Sequence, residues 1–128
     1  MTSPNGTIYH GILVDQAFDD QTFPETFKVF GKRKSSSNSW TLFGIEILAF
    51  ELSLAIKQVQ TEMKDNAPYY AHFYNEGELI VIFKHTIFTI TPDRASWDPA
   101  IKYGKALGIP EEQLDFYPSS LSEEKNYF

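Results

Sequence analysis

The chain has 128 residues, 42% of them hydrophobic, 16% aromatic and 22% charged, with 11 basic against 17 acidic side chains and a net charge of −6. A chain of this length fits one domain, which buries roughly two-thirds of the surface its unfolded form would expose. The absence of cysteine excludes disulfides, thiolate catalysis and cysteine-held zinc or iron–sulfur centres, and the acidic balance works against steering toward a nucleic-acid backbone.

Residues 1–6 and 119–128 are small or polar without periodicity and read as flexible tails, leaving 7–118 as a single domain. The run TIYHGILVDQAF, Thr7 to Phe18, is rich in β-branched and aromatic residues and predicts a strand through its centre, with His10, Ile12 and Val14 on one face. Thr22 followed by Pro24 and Glu25 has the form of a capping box with proline in the first turn. Phe23, Phe27 and Phe30 then recur at i, i+4 and i+7, which predicts a helix over 23–33, although FKVFGKRK also fits an extended edge. The cluster Lys28, Lys32, Arg33 and Lys34 runs into SSSNS, a pattern that reads as a solvated helix end and loop.

Trp40 to Ile47, WTLFGIEI, is apolar on both faces except at Glu46 and predicts a central strand. Leu52, Ala55, Ile56, Val59 and Met63 then fall on one side of an amphipathic helix that Asn66 and Pro68 end. A hairpin follows, Tyr69 to Tyr74 and Glu78 to Lys84, turning at Asn75-Glu76-Gly77. A third strand, Ile87 to Thr91, comes after Lys84-His85-Thr86, which is either a tight turn held by tertiary contacts or a bulge in one long strand. Ser96, Asp98 and Pro99 open a last helix whose stripe is Trp97, Ile101, Gly104 and Leu107, and Gly108 stops it as a left-handed cap. Pro110 begins a terminal turn, PEEQLDF, in which Leu114 and Phe116 pack down.

The order β-α-β-α-β-β-β-α predicts an α+β domain, with a single layer of four or five largely antiparallel strands and three helices packed on it. Counting outward from the turn puts Tyr70, His72, Tyr74, Leu79, Val81 and Phe83 on one face of the hairpin, and Ala71, Phe73, Ile80 and Ile82 on the other. The second set is an ordinary core face. The three rings of the first set alone present on the order of 500 Å², near the upper end of the roughly 300 to 600 Å² that a monomer's largest apolar patch leaves wet. That face therefore needs a cover: a helix of the same chain, a second copy, or a guest molecule.

Catalytic signatures are missing. His10, His72 and His85 have no metal-ligand spacing, and neither HExxH, GxSxG, GxGxxG nor GxxxxGK[ST] occurs, so neither a metal nor a cofactor is expected. Glu46, alone in an apolar strand, is the candidate for a raised pKa, followed by Asp15 in ILVDQAF; a wet strand end and local capping are the alternatives. No apolar run reaches about 18 residues and the first ten residues have no leader pattern, so a cytoplasmic location is expected, with no membrane and no nucleic-acid partner. The reading that results is a small non-catalytic binding module that self-associates or meets another protein through an aromatic hairpin face, with Tyr70, His72, Tyr74, Phe83, Glu46 and Asp15 as its binding residues. The second reading is a small enzyme or ligand carrier with a largely apolar pocket beside His72.

Overall fold

A computed structural model of the chain describes residues 8–34, 40–65, 67, 69–75, 78–91 and 93–110. The strands in chain order are β1 (Ile8–Val14), β2 (Lys28–Lys34), β3 (Thr41–Leu48), β4 (Ala71–Asn75), β5 (Glu78–Phe83) and β6 (Thr86–Ile90), and the helices are α1 (Leu52–Glu62) and α2 (Asp98–Ala106). They build one six-stranded sheet of order β2-β3-β1-β4-β5-β6, antiparallel at every pairing. The architecture is α+β, with six strands among the described residues where four or five were expected and two helices where three were. The two tails, the SSSNS loop, Asn66, Pro68, Glu76, Gly77 and the PEEQLDF turn after Pro110 lie outside the described residues.

The missing helix accounts for the extra strand. Phe23–Thr26 is only a 3-10 turn, and Lys28–Lys34 is β2. Thr22 does not cap it: its backbone N–H and its hydroxyl both donate to Asp20 Oδ1, at 2.9 and 2.6 Å. Phe23 and Phe27 do enter the core, with Phe23 4.9 Å from Phe18 and 5.4 Å from Phe27 between ring centroids. Phe30, however, lies on the sheet, stacked on His10 at 4.3 Å. Val29 and Phe30 favour strand and Gly31 disfavours helix, so once β3 offers a pairing partner the extended form wins. A bulge between Val29 and Gly31 absorbs the mismatch.

Helix α1 covers one face of the sheet and α2 the other, so the helices do not share a side. Beneath α1 lie Leu13, Phe43, Ile45, Ile47, Ala71, Phe73, Ile80 and Ile82, against Ala55, Val59 and Met63 of the helix and its end. Beneath α2 lie Ile12, Tyr74, Leu79, Val81, Phe83 and Ile90, against Trp97 and Ala100, with Ile109 beyond the helix. This explains the poor apolar–polar alternation of the hairpin: both of its faces are core. The hairpin register is Asn75 opposite Glu78, Tyr74 opposite Leu79 and His72 opposite Val81, as the count from the turn gives.

Between β5 and β6 the chain reverses through Lys84 and His85 alone, Phe83 pairing with Thr86. Neither residue eases a tight loop, and the end of α1 holds it instead. Gln60 Nε2 donates to the Phe83 carbonyl at 3.0 Å, Lys84 Nζ donates to the Thr61 carbonyl at 3.0 Å, and His85 Nε2 meets Asp65 Oδ1 at 2.8 Å. At the other helix, Ser96 does not cap α2; its hydroxyl donates to the Asp93 carbonyl at 2.7 Å. The end of α2 is as the sequence indicates. Gly108 has φ +89°, its N–H donates to Lys105 and that of Ile109 to Gly104, both at 3.0 Å, and the two bonds together form a Schellman cap.

Candidate functional site

The polar groups of the α2-side face are aligned by strand register. Glu46 of β3 lies opposite Lys28 of β2 and opposite His10 of β1, and His10 lies opposite Tyr74 of β4. Residues directly opposite in a sheet share a face, so Lys28, Glu46, His10 and Tyr74 form one row across four strands. Lys28 Nζ donates to Glu46 Oε2 at 2.9 Å, and His10 Nε2 is 3.1 Å from Glu46 Oε1. A carboxylate can only accept, so the Nε2 atom of His10 carries the proton in this bond.

Glu46 was the candidate for a raised pKa, with a wet strand end as the alternative; its carboxyl is held below the usual range, by the hydrogen bonds from Lys28 and then His10. Half-burial opposes the shift and is outweighed. A carboxylate with both oxygens engaged by cationic or N–H donors is a weak base, and the row neutralises itself. Lys28, His10 and Phe30 belong to this arrangement and were not among the expected binding residues.

His72 stands on the next row, opposite Ile12 and Val81. Its ring lies between those of Tyr70 at 6.1 Å and Tyr74 at 6.0 Å. No hydrogen bond joins it to another described residue. Burial pushes its imidazole down to about 4, although part of the residue still meets solvent, so the ring is neutral at physiological pH. Glu46 therefore serves His10 and not His72.

The other expected residues separate further. Tyr74 and Phe83 are fully buried; Phe83 packs 4.7 Å from Tyr103 of α2, which removes both from any contact surface. Tyr70 is half-buried beside Phe83 at 6.0 Å. Asp15 lies past the end of β1, where Oδ1 accepts the Thr41 N–H at 3.0 Å and its carbonyl accepts the Phe18 N–H at 3.3 Å. Its side chain thus ties the turn after β1 to the start of β3, away from the His10 row.

A cleft of about 410 Å³ opens where the N-terminal half of α1 passes β2 and β3. Phe27, Ile47, Leu54 and Ala55 supply apolar walls, and Lys28, Glu46, Glu51 and Gln58 polar ones. Of its walls Leu54 is 61% exposed; the other exposed apolar side chains of this half of the chain are Val29 at 38% and Phe30 at 37% on β2, and Phe50 at 64% in the turn before α1. Among the described residues no group of three His, Asp or Glu could hold a metal ion, and no helix is long and apolar enough to cross a membrane. No family model, curated protein or solved structure matches the chain.

Proposed function

We propose that the chain is a small cytoplasmic non-catalytic module that binds another protein through the side of the molecule where β2 forms the sheet edge. The observation that carries this reading is a cleft walled by Phe27, Ile47 and the 61% exposed Leu54, next to a strand with four cations in its seven residues. Scattered exposed apolar side chains need no explanation, but one that walls a concave surface offers a place to bury a partner's apolar side chain. The occupant that fits is an extended segment carrying acidic and apolar residues. It would lie along β2, whose outward side faces no further strand among the described residues, with an apolar side chain in the cleft. The charge of β2 is opposite to the chain's net −6, so Lys32 and Lys34 would attract such a segment while the rest of the surface repels it.

The hairpin face supports this role less well, since Tyr74 and Phe83 are buried in the cluster that includes Trp97 and Ala100. The ligand-carrier reading, with His72 beside Glu46 or Asp15 as its polar groups, has less support, since Glu46 bonds to His10 and Asp15 to the Thr41 N–H. Fluorescence anisotropy with labelled twelve-residue peptides, one series alternating Glu with Leu or Val and one alternating Lys with the same residues, tests the proposal. The acidic series should bind, Leu54→Glu and Lys32→Glu should each weaken binding at least tenfold, and circular dichroism should be unchanged. Equal binding of both series, or no effect of either substitution, would remove it.

A further inference from the structure

We infer that a second copy of this chain pairs with the opposite edge of the sheet, β6 joining β6 antiparallel to make one continuous sheet of both copies. The two edges differ in charge and in regularity, two of the properties that control edge pairing. Open edges in soluble proteins are ordinarily blunted by lysine, proline, a bulge or a covering segment. β2 has three of its four cations within Lys32, Arg33 and Lys34 and is bulged at Val29 to Gly31. β6 reads TIFTI: it has no charge, no proline and no glycine, and it pairs with β5 from Thr86 to Ile90 without a register shift. No strand lies beyond it among the described residues. The cations of β2 repel a second copy of that strand while admitting an acidic segment, so for pairing between identical chains the uncharged and regular edge is the open one.

Self-pairing of one strand about a two-fold axis must be antiparallel, and the natural axis for a five-residue strand passes its middle residue. Phe88 would then oppose Phe88 of the second copy, Ile87 would oppose Thr89, and Thr86 would oppose Ile90. Each pair is favourable in kind: an aromatic pair at the centre, and β-branched pairs on both sides. Ile87, 44% exposed, would be covered. Phe88, half-buried and packed 5.9 Å from Phe83 and 5.8 Å from Tyr103, would continue the aromatic cluster of the α2 face into the second copy.

Each copy has a net charge of −6, so the pair repels at long range and salt should tighten it by screening. A single five-residue strand pair falls below the roughly 1,200 Å² of a standard interface, and the dimer belongs to the weak, reversible class.

Sedimentation equilibrium from micromolar to millimolar protein reads this directly. The mass should rise with concentration from 14.7 kDa toward twice that value and no higher, and more steeply in added salt. Ile87→Lys and Thr89→Lys replace exposed side chains and should each leave the monomer folded and abolish the rise, while Lys32→Glu on the other edge should not. Hydrogen exchange should show protection of β6 amides that grows with concentration. A monomer throughout, a dimer unaffected by both lysine substitutions, or growth beyond two copies would each overturn the inference. None of these outcomes bears on peptide binding at β2, so the two proposals fail separately.

Discussion

The two faces of the sheet are closed in different chemical styles. Both are lined by aliphatic and aromatic side chains, with Leu13, Ile45, Phe18 and Phe73 fully buried under α1 and Tyr74, Phe83 and Ile90 under α2. The difference lies in the ionisable groups: the buried residues under α1 include none, and the α2 side carries His72 and the His10–Glu46–Lys28 row. A face without ionisable groups is indifferent to pH and a face with buried imidazole is not. The same sheet thus has one side whose core ignores protonation and one side whose closure depends on it.

The largest test of that contrast removes a ring. Phe83 is fully buried and touches Tyr70, Phe88 and Tyr103, so Phe83→Ala should cost about 3 to 5 kcal/mol, the range for buried aromatic truncations. Hydrogen exchange on the variant should show α2 amides losing more protection than those of α1. Equal loss in both helices would mean the faces do not close independently.

Acid supplies the next test. Folded His72 titrates at about 4, against roughly 6.5 in an unfolded chain. Between those values the unfolded state binds the extra proton, so this contribution is complete above pH 6.5, declines as pH falls and is lost by about pH 4, with an order-of-magnitude total of about 3 kcal/mol. Glu46, whose carboxyl is also lowered, should add to the loss in the range below its ordinary value of 4.5. Urea midpoints measured from pH 7 to 4 should fall in the native chain and fall less in His72→Gln. A slope unchanged by that substitution would show that His72 is not the group responsible.

What the sequence disclosed and what it withheld follow from range. The i, i+3, i+4 stripe of α1, the Gly108 cap and the hairpin register depend on residues close together in the chain, and all three stand as read. At Phe23, Phe27 and Phe30 a helical spacing coincided with a turn followed by a strand, and β3, more than ten residues on, decided between them. Glu46 looked isolated because its partners come from β1 and β2. Only the order β2-β3-β1 brings Lys28 and His10 to its two oxygens. The need for a cover over Tyr74 and Phe83 was legible from the hairpin alone. That α2 provides much of it was not, because the helix stripe specifies an apolar surface and not which side of the sheet it meets.

The smallest effect concerns how the α2 side is held at its end. Helix α1 leaves its last turn through Met63, already extended at φ −68° and ψ 147°, which any residue adopts. Helix α2 leaves through Gly108 at φ +89°, where a side chain is strained, and this turn delivers Ile109 into the core at the edge of the aromatic cluster. Nothing lies within 4 Å of a Cβ added there, so Gly108→Ala tests backbone conformation without a clash and should cost about 1 kcal/mol. The loss should appear as faster exchange of the Gly108 and Ile109 amides and of the last turn of α2, with α1 unaffected. If the variant were as stable as the native chain, the Ile109 latch would contribute nothing, and the aromatic face would be held by Trp97, Ala100 and Tyr103 alone.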